Sequence, residues 1–398
     1  MSLFSFFNKK SEEVSAVFHI GSGSVDAHLV RFSKVSKPEI IYATKAPISF
    51  QKNIDLERYF KLMVKAFDSA LQDIQKRGLL HLNFTGLRNH RISNAFYVLC
   101  SPWCVSQTKI IKIKKDKPFE ITVDLIEGVI NEQERKFLSD DSVKGSKIIE
   151  KKIIDAKLNG YRTAEIFGKK AKDAELAFFM TSAPEYVLKE LNYVARKYFN
   201  FHISDFHSFA ISAFSAIREI YSDKENFIFI DTHGELTDLS IIKDNIFAES
   251  VSFPVGENFF VRQTSKDLLL SGDESCSLIN LHINGKCDSV TSQKVQATMD
   301  KSLKIWLEKF HSVLTSLSLN MYVPRTIFIM TDNEFSEFLA KKLKEEKFSQ
   351  FSMTEESFNV IVLNNKSLCE YCLSDKEIEK EPFAELECVF LNKIFNTK

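Results

Sequence analysis

The chain has 398 residues, enough for two or more packed domains with ample core. Lysine plus arginine and aspartate plus glutamate stand at 53 each, so no net field favours nucleic acid or an acidic substrate. Seven cysteines with no secretory leader and no apolar run of spanning length read as reduced thiols in a cytoplasmic protein. Cys100/Cys104 and Cys369/Cys372 do not make two matched zinc knuckles, so they read as buried free thiols and no metal is expected.

In chain order, "MSLFSFFNKK" comes first, a short apolar cluster before two lysines. It reads as a terminus or as a docking element for a membrane or partner. Strands are expected at 14–20 and 25–32, joined by a turn of Gly21, Ser22, Gly23 and Ser24, with a third at 39–43. Alternation places Val25, Ala27 and Leu29 on one face of a half-buried second strand. A helix over 55–77 carries Leu56, Tyr59, Phe60, Met63, Val64, Phe67 and Leu71 on one stripe, and Gly78 suits its C-terminal stop.

Strand 95–100 then leads through "SPWC" to a basic strand, "TKIIKIKK". A helix over 122–137 takes Thr122 as N-cap, and strands joined by Asn159-Gly160 precede a helix at 184–198. This stretch reads as a small α+β insertion. From 226 the first pattern returns about 210 residues on: strand "NFIFID", turn "THGE", strand "LTDLSII", turn "KDN", strand "IFAESVSF" and a helix from near Glu257. A helix at about 299–318 with Leu303, Trp306, Leu307, Phe310 and Leu314 follows. Strand "TIFIM", helix 333–346, strand "NVIVL" and a helical "FAELECVFLNKIF" complete the order.

These pieces together resemble the actin-like ATPase superfamily and, within it, the FtsA/PilM group. The first hairpin is similar to the phosphate-one loop DIGxxxxK, and "FIDTHGELTDLSII" to the phosphate-two loop DIGGGTTD. The insertion falls where FtsA and PilM carry their extra subdomain. The resemblance implies an α/β, actin-like two-lobed fold, a duplicated β-β-β-α-β-α unit with an inserted strand-helix-strand-strand subdomain. Its divisions would be 1–85 with the phosphate-one hairpin, 86–183 as the insertion, 184–225 returning to the first lobe, 226–374 as the second lobe, and 375–398 as a helix closing the first.

Residue by residue, the resemblance assigns phosphate contacts to Gly21, Ser22, Gly23, Ser24, Asp231, Gly234 and Thr237. The family's acid is His19 here and its lysine is Asp26; His233, Glu235 and Leu236 replace two glycines and a threonine. Asp332 and Glu334 stand where the adenosine loop is glycine-rich. A polyanion needs backbone donors, a cation or both, and these exchanges remove them. ATP and magnesium are therefore doubtful ligands, efficient hydrolysis is not expected, and no catalytic residue is assigned. His19, His28 and His233 read as polar residues lining the cleft.

The family comparison implies a non-catalytic or weakly nucleotide-binding scaffold, cytoplasmic and peripheral at the inner membrane. It would be PilM-like in type IV pilus assembly or FtsA-like in cell division; an active ATPase or sugar kinase is the alternative. FtsA carries a linker and membrane helix after the fold, whereas this sequence ends at "FNTK", which favours anchoring through a partner. That partner is a membrane protein's cytoplasmic peptide or a filament protein, with self-association as a further mode. "KIIKIKKDK" offers one apolar and one cationic face, so an edge strand carrying Lys112, Lys114 and Lys115 could accept an acidic extended peptide.

Overall fold

The computed structural model describes residues 12–84, 92, 94–319, 322–331, 335–346, 351, 357–374, 378 and 381–396. The readings of "MSLFSFFNKK", Asp332 and Glu334 lie outside the described residues. β1 (Glu12–Ile20), β2 (Ser24–Ser33) and β3 (Glu39–Pro47) form an antiparallel meander. β2 is covered on both faces rather than half-buried. α1 (Leu56–Asp73) packs on the side of Val25, Ala27 and Leu29, and the chain's last helix covers Asp26 and His28 on the other.

Asp55 caps α1, accepting from the Arg58 amide at 2.7 Å. Its buried stripe is Tyr59, Met63, Ala66, Phe67, Ala70 and Leu71, while Leu56 lies exposed outside it. Gly78 does not end this helix. A π-helical turn, Ile74–Gly78, carries the chain into α2 (Leu79–Phe84). A Cβ at Gly78 would lie 3.1 Å from the Tyr42 ring and 3.2 Å from Leu29, so this glycine serves close packing rather than termination.

β4 (Asn94–Leu99) lies parallel to β1. β5 (Val105–Glu120), α3 (Val123–Leu138), β6 (Ser146–Leu158), β7 (Tyr161–Arg162) and β8 (Lys170–Pro184) follow. They build a separate antiparallel sheet in the order β5-β8-β6-β7. Asn159 and Gly160, at φ +49° and +86°, make the tight turn the dipeptide predicts. α4 (Glu185–Ala195) returns the chain to β9 (Ile203–Ser208), parallel to β4, and α5 (Phe209–Ile220).

β10 (Phe227–His233), β11 (Leu236–Lys243) and β12 (Ile246–Phe253) form the second meander. After it come α6 (Glu257–Leu268), α7 (Gly272–Ile283) and α8 (Ser289–Ser318). β13 (Thr326–Thr331), α9 (Phe335–Glu345), β14 (Asn359–Val362), α10 (Asn365–Leu368), β15 (Leu373–Ser374) and α11 (Pro382–Asn396) close the order.

The two large sheets repeat one plan. β3-β2-β1-β4-β9, extended by β15, matches β12-β11-β10-β13-β14: a meander followed by two parallel strands. Between them α5 and α11 pack together, joining Val17 and Phe96 of one sheet to Phe229 and Phe328 of the other through Phe214 and Phe390. Burial therefore runs continuously across the lobes. Cys100, Cys104, Cys372 and Cys388 are buried thiols, but Cys369 is exposed, since α10 ends at the surface. Among the described residues, no helix is long and apolar enough to cross a membrane.

Candidate functional site

The β1–β2 turn and the β10–β11 turn face each other and touch. Gly21 N–H donates to Ser24 O at 3.0 Å, closing the first turn. Gly234, at φ +54°, makes the second. The Ser22 hydroxyl joins them, donating to His233 O at 2.5 Å and accepting from Glu235 N–H at 3.0 Å. Ser24 Oγ lies 3.5 Å from His233 Nε2. A methyl group on Gly234 would overlap the Ser22–Gly23 backbone, and one on Gly21 would meet the His233 ring. The glycines thus let one turn seat against the other.

The start of α6 is engaged as well. Gly256 N–H donates to Glu235 O at 3.1 Å and Asn258 N–H to Gly234 O at 2.8 Å. Helix-start amides that would suit a phosphate are committed to turn carbonyls. Glu235 accepts twice from Arg262, at 3.0 and 2.6 Å, and from Asn258 Nδ2 at 2.8 Å. From the first lobe, the Tyr59 hydroxyl donates to Ser22 O and Trp103 Nε1 to Gly21 O at 2.8 Å. Phe50 presses on Gly272 and joins the second lobe's core.

His19, His28 and His233 do not line an open cleft; all three are buried. His19 Nδ1 lies 2.6 Å from Glu387 of α11, its ring centroid 4.9 Å from Phe383 and 5.3 Å from Phe209. Burial, with Asp26 adding repulsion, pushes the Glu387 carboxyl well up. Burial also pulls the His28 imidazole down to about 3, with His19 and Lys45 adding to it. Asp26 is buried with Lys45 Nζ 4.0 Å away. The positions where the family keeps an acid and a lysine have become an internal polar layer facing α11.

Thr237 is committed to structure. Its hydroxyl donates to Val255 O at 2.7 Å and accepts from Trp306 Nε1 at 3.0 Å. Asp231 is buried in register with Asp238 across β10 and β11. Beside them a cavity of about 320 Å³ is lined by Ser101, Pro102, Phe209, Ser240 and Ser252. Burial raises the Asp238 carboxyl, opposed by hydrogen bonds from Ser252 and Ser101. The turns do not fit a nucleotide: Ser22 and His233 fill the space between them, and the cavity offers acids and hydroxyls where a polyanion needs cations.

β5 lies at the edge of its sheet. Ile111 and Ile113 turn inward, packing with Ile121 and Ile126. Ile110 shares the outer face with Lys112 and Lys114 and is 58% exposed, so that face is mixed rather than purely cationic. Lys112 pairs with Glu175 of β8 at 3.1 Å, Lys115 sits over the Phe119 ring at 4.8 Å, and Lys114 is exposed. Sequence reasoning placed Tyr59 on the core stripe of α1 without its bond to the turn, and passed over Trp103, Arg262 and Glu387. Only Glu385 and Glu387 carried a signal, as acids in an otherwise apolar helix.

No protein-family model and no curated protein sequence matches the chain. Among solved structures, a chain of the PilM-PilN type IV pilus biogenesis complex superposes with a TM-score of 0.64 at 11% identity, covering 96% of this chain and 97% of that one. The ethanolamine utilization protein EutJ from Carboxydothermus hydrogenoformans gives 0.45 at 9% identity, over 96% and 92% of the two chains. MreB 5 of Spiroplasma citri bound to AMPPNP gives 0.44 at 11% identity, over 97% and 96%. At such identities the likeness concerns the fold alone, and with its repeated sheets around α5 and α11 the chain has the two-lobed actin-like ATPase fold, shared with the PilM–PilN chain over nearly its whole length.

Proposed function

We propose that this protein is a nucleotide-independent scaffold of the actin-like fold that holds an extended segment of a membrane protein at the cytoplasmic face of the membrane, in a type IV pilus setting. One observation carries the first half: Ser22 binds both His233 O and Glu235 N–H, so the phosphate turns are satisfied by each other. The replacement of acid and lysine by buried His19 and Asp26 supports the same reading. The setting is supported by the PilM–PilN complex, a structure of the same fold whose name includes a second component. β5 supplies the edge on which a peptide can add as a strand, with Lys114 exposed to steer an acidic one.

A ligand at 100 times its dissociation constant stabilises by about 2.7 kcal/mol, which a thermal melt resolves easily. Millimolar ATP with magnesium is expected to leave the melting temperature unchanged. A magnesium-dependent shift, or phosphate release above a protein-free blank that Asp231→Ala abolishes, would overturn the proposal.

A further inference from the structure

The face of the second sheet that looks toward the first lobe changes character along its length. Phe227 pairs with Ile242 and Ile242 with Phe247, an apolar row buried in the core shared by the lobes. Nearer the turns, Phe229, Ser240 and Ser250 form the next row, and Asp231, Asp238 and Ser252 the one after. All but Phe229 are polar. Leu99, Ser101, Pro102 and Phe209 of the first lobe stand across from them, and the two sets enclose the cavity of about 320 Å³. A sheet face packed against another layer is ordinarily apolar, and polar groups turned inward cost free energy unless something meets them. The protein meets part of that cost itself. Ser252 Oγ donates to Asp238, and Ser101 Oγ lies 3.2 Å from Ser252 Oγ. Ser240 differs: it is 2% exposed and lines the cavity, yet its hydroxyl has no hydrogen-bond partner among the described residues.

Among the described residues that line the cavity there is no lysine, arginine or histidine, so the two aspartates give it a negative field. The start of α5 borders it through Phe209 and Ala210, and a helix N-terminus by itself opposes a cation. Glu150 already answers that end, accepting from Ser208 N–H at 2.9 Å. We infer that this cavity binds a guanidinium group carried on a short aliphatic stem. Guanidinium is planar, donates five N–H bonds and accepts none, which matches a lining of carboxylate and hydroxyl oxygens. Asp238 receives the fork, Ser240 and Ser250 accept from the remaining N–H groups, and the stem lies along Leu99, Pro102 and Phe209. A bare divalent ion suits the cavity less, since among the described residues no group of three His, Cys, Asp or Glu side chains is placed to hold one. The guanidinium can belong to a free small molecule or to an arginine of a partner segment. Nothing in this site depends on the β5 edge, so either result below leaves strand addition there untouched.

Calorimetric titration of the full chain with agmatine, and separately with N-acetyl-arginine methylamide in place of a partner's side chain, tests this without magnesium or nucleotide. At least one of them should bind saturably, with a dissociation constant below about 1 mM. Binding of agmatine alone supports the site and marks a free small molecule as its occupant. Binding of the capped arginine, with or without agmatine, supports it and marks a partner's side chain. Butylurea, a neutral group of the same shape, should not bind. Asp238→Asn should weaken binding about tenfold or more. Ser240→Leu fills the cavity, keeps both aspartates and should abolish binding. Both variants are judged on protein that melts within a few degrees of the parent. Absence of saturable binding by either guanidinium probe overturns the inference. Equal binding of butylurea, or undiminished binding in either variant, overturns it as well.

Discussion

Gly145 and Gly234 both hold positive φ, yet their surroundings differ completely. A Cβ on Gly145 meets nothing within 4 Å, whereas one on Gly234 runs into the opposite turn. Gly145→Ala should therefore cost about 1 kcal/mol, the conformational penalty alone. Gly234→Ala should cost more than about 3 kcal/mol, because backbone on both lobes has to separate. Urea denaturation of the pair separates the two terms. His28 yields a second prediction. With its pKa depressed, the unfolded chain takes up a proton near 6.5 that the folded chain refuses, so stability falls as pH drops from about 6.5 to about 3. Glu387, raised, acts in the opposite sense and weakens the fold as pH climbs above the usual glutamate range. His28→Leu should flatten the acid-side slope in pH-resolved unfolding and leave the Glu387 contribution in place.

At the scale of elements, the inserted sheet is fastened to the first lobe around Glu150, beside the Thr181–Ser208 hydrogen bond and the packing of Ala183 and Phe179. Glu150 of β6 accepts from Ser208 N–H at 2.9 Å, at the start of α5, and from the Ser208 hydroxyl at 3.1 Å. His207 Nδ1 lies 2.7 Å away and Lys152 Nζ 3.0 Å. Burial alone would raise this carboxyl, but Lys152, His207 and the Ser208 amide bring it down to about 2. Its stabilisation is present above the usual glutamate value and is lost as pH falls from about 4.5 to about 2. Glu150→Ala should cost about 3 kcal/mol and speed amide exchange at the start of α5. The edge of that sheet makes a separate prediction: reversing Lys112, Lys114 and Lys115 to Glu should abolish capture of an acidic partner peptide in a pull-down, with the melting temperature falling by no more than a few degrees. The legible elements were those with strong local patterns, such as the α1 stripe and the Asn159-Gly160 hairpin. β9 and α5 escaped because "ISDFHS" mixes polar and apolar residues in a strand whose pairing is entirely with β4. α7 was missed although Ser271 and Glu274 form a capping box, since its following residues carry little periodicity.

For the whole molecule, the turns, the α5–α11 layer and the inserted sheet all bridge the two lobes. Phe179 of β8 packs on Phe247 of β12 with ring centroids 5.2 Å apart, and Arg162 donates to Asp244 O at 2.5 Å. Opening one lobe against the other requires breaking all these contacts together. Small-angle scattering with and without magnesium ATP should thus give superimposable curves; a ligand-dependent change in radius of gyration would contradict a locked scaffold. The sequence order of motifs was enough to read the duplicated plan, but the degenerate loops could only be read as losses. That the two turns satisfy each other depends on Ser22 meeting residues more than 200 positions away, which no local pattern encodes.

The contact between His19 and Glu387 spans 368 positions of chain. During synthesis β1 and β2 emerge long before α11, the helix that covers Asp26 and His28. The first sheet must therefore wait, one face uncovered, until both lobes and α11 have left the ribosome. Contacts this distant fold slowly and leave sticky intermediates exposed on the way. A stop codon at Pro382 should give a nascent product that stalls with this face bare and is found with chaperones or in the insoluble fraction, even though the sheets and all the turn residues are present.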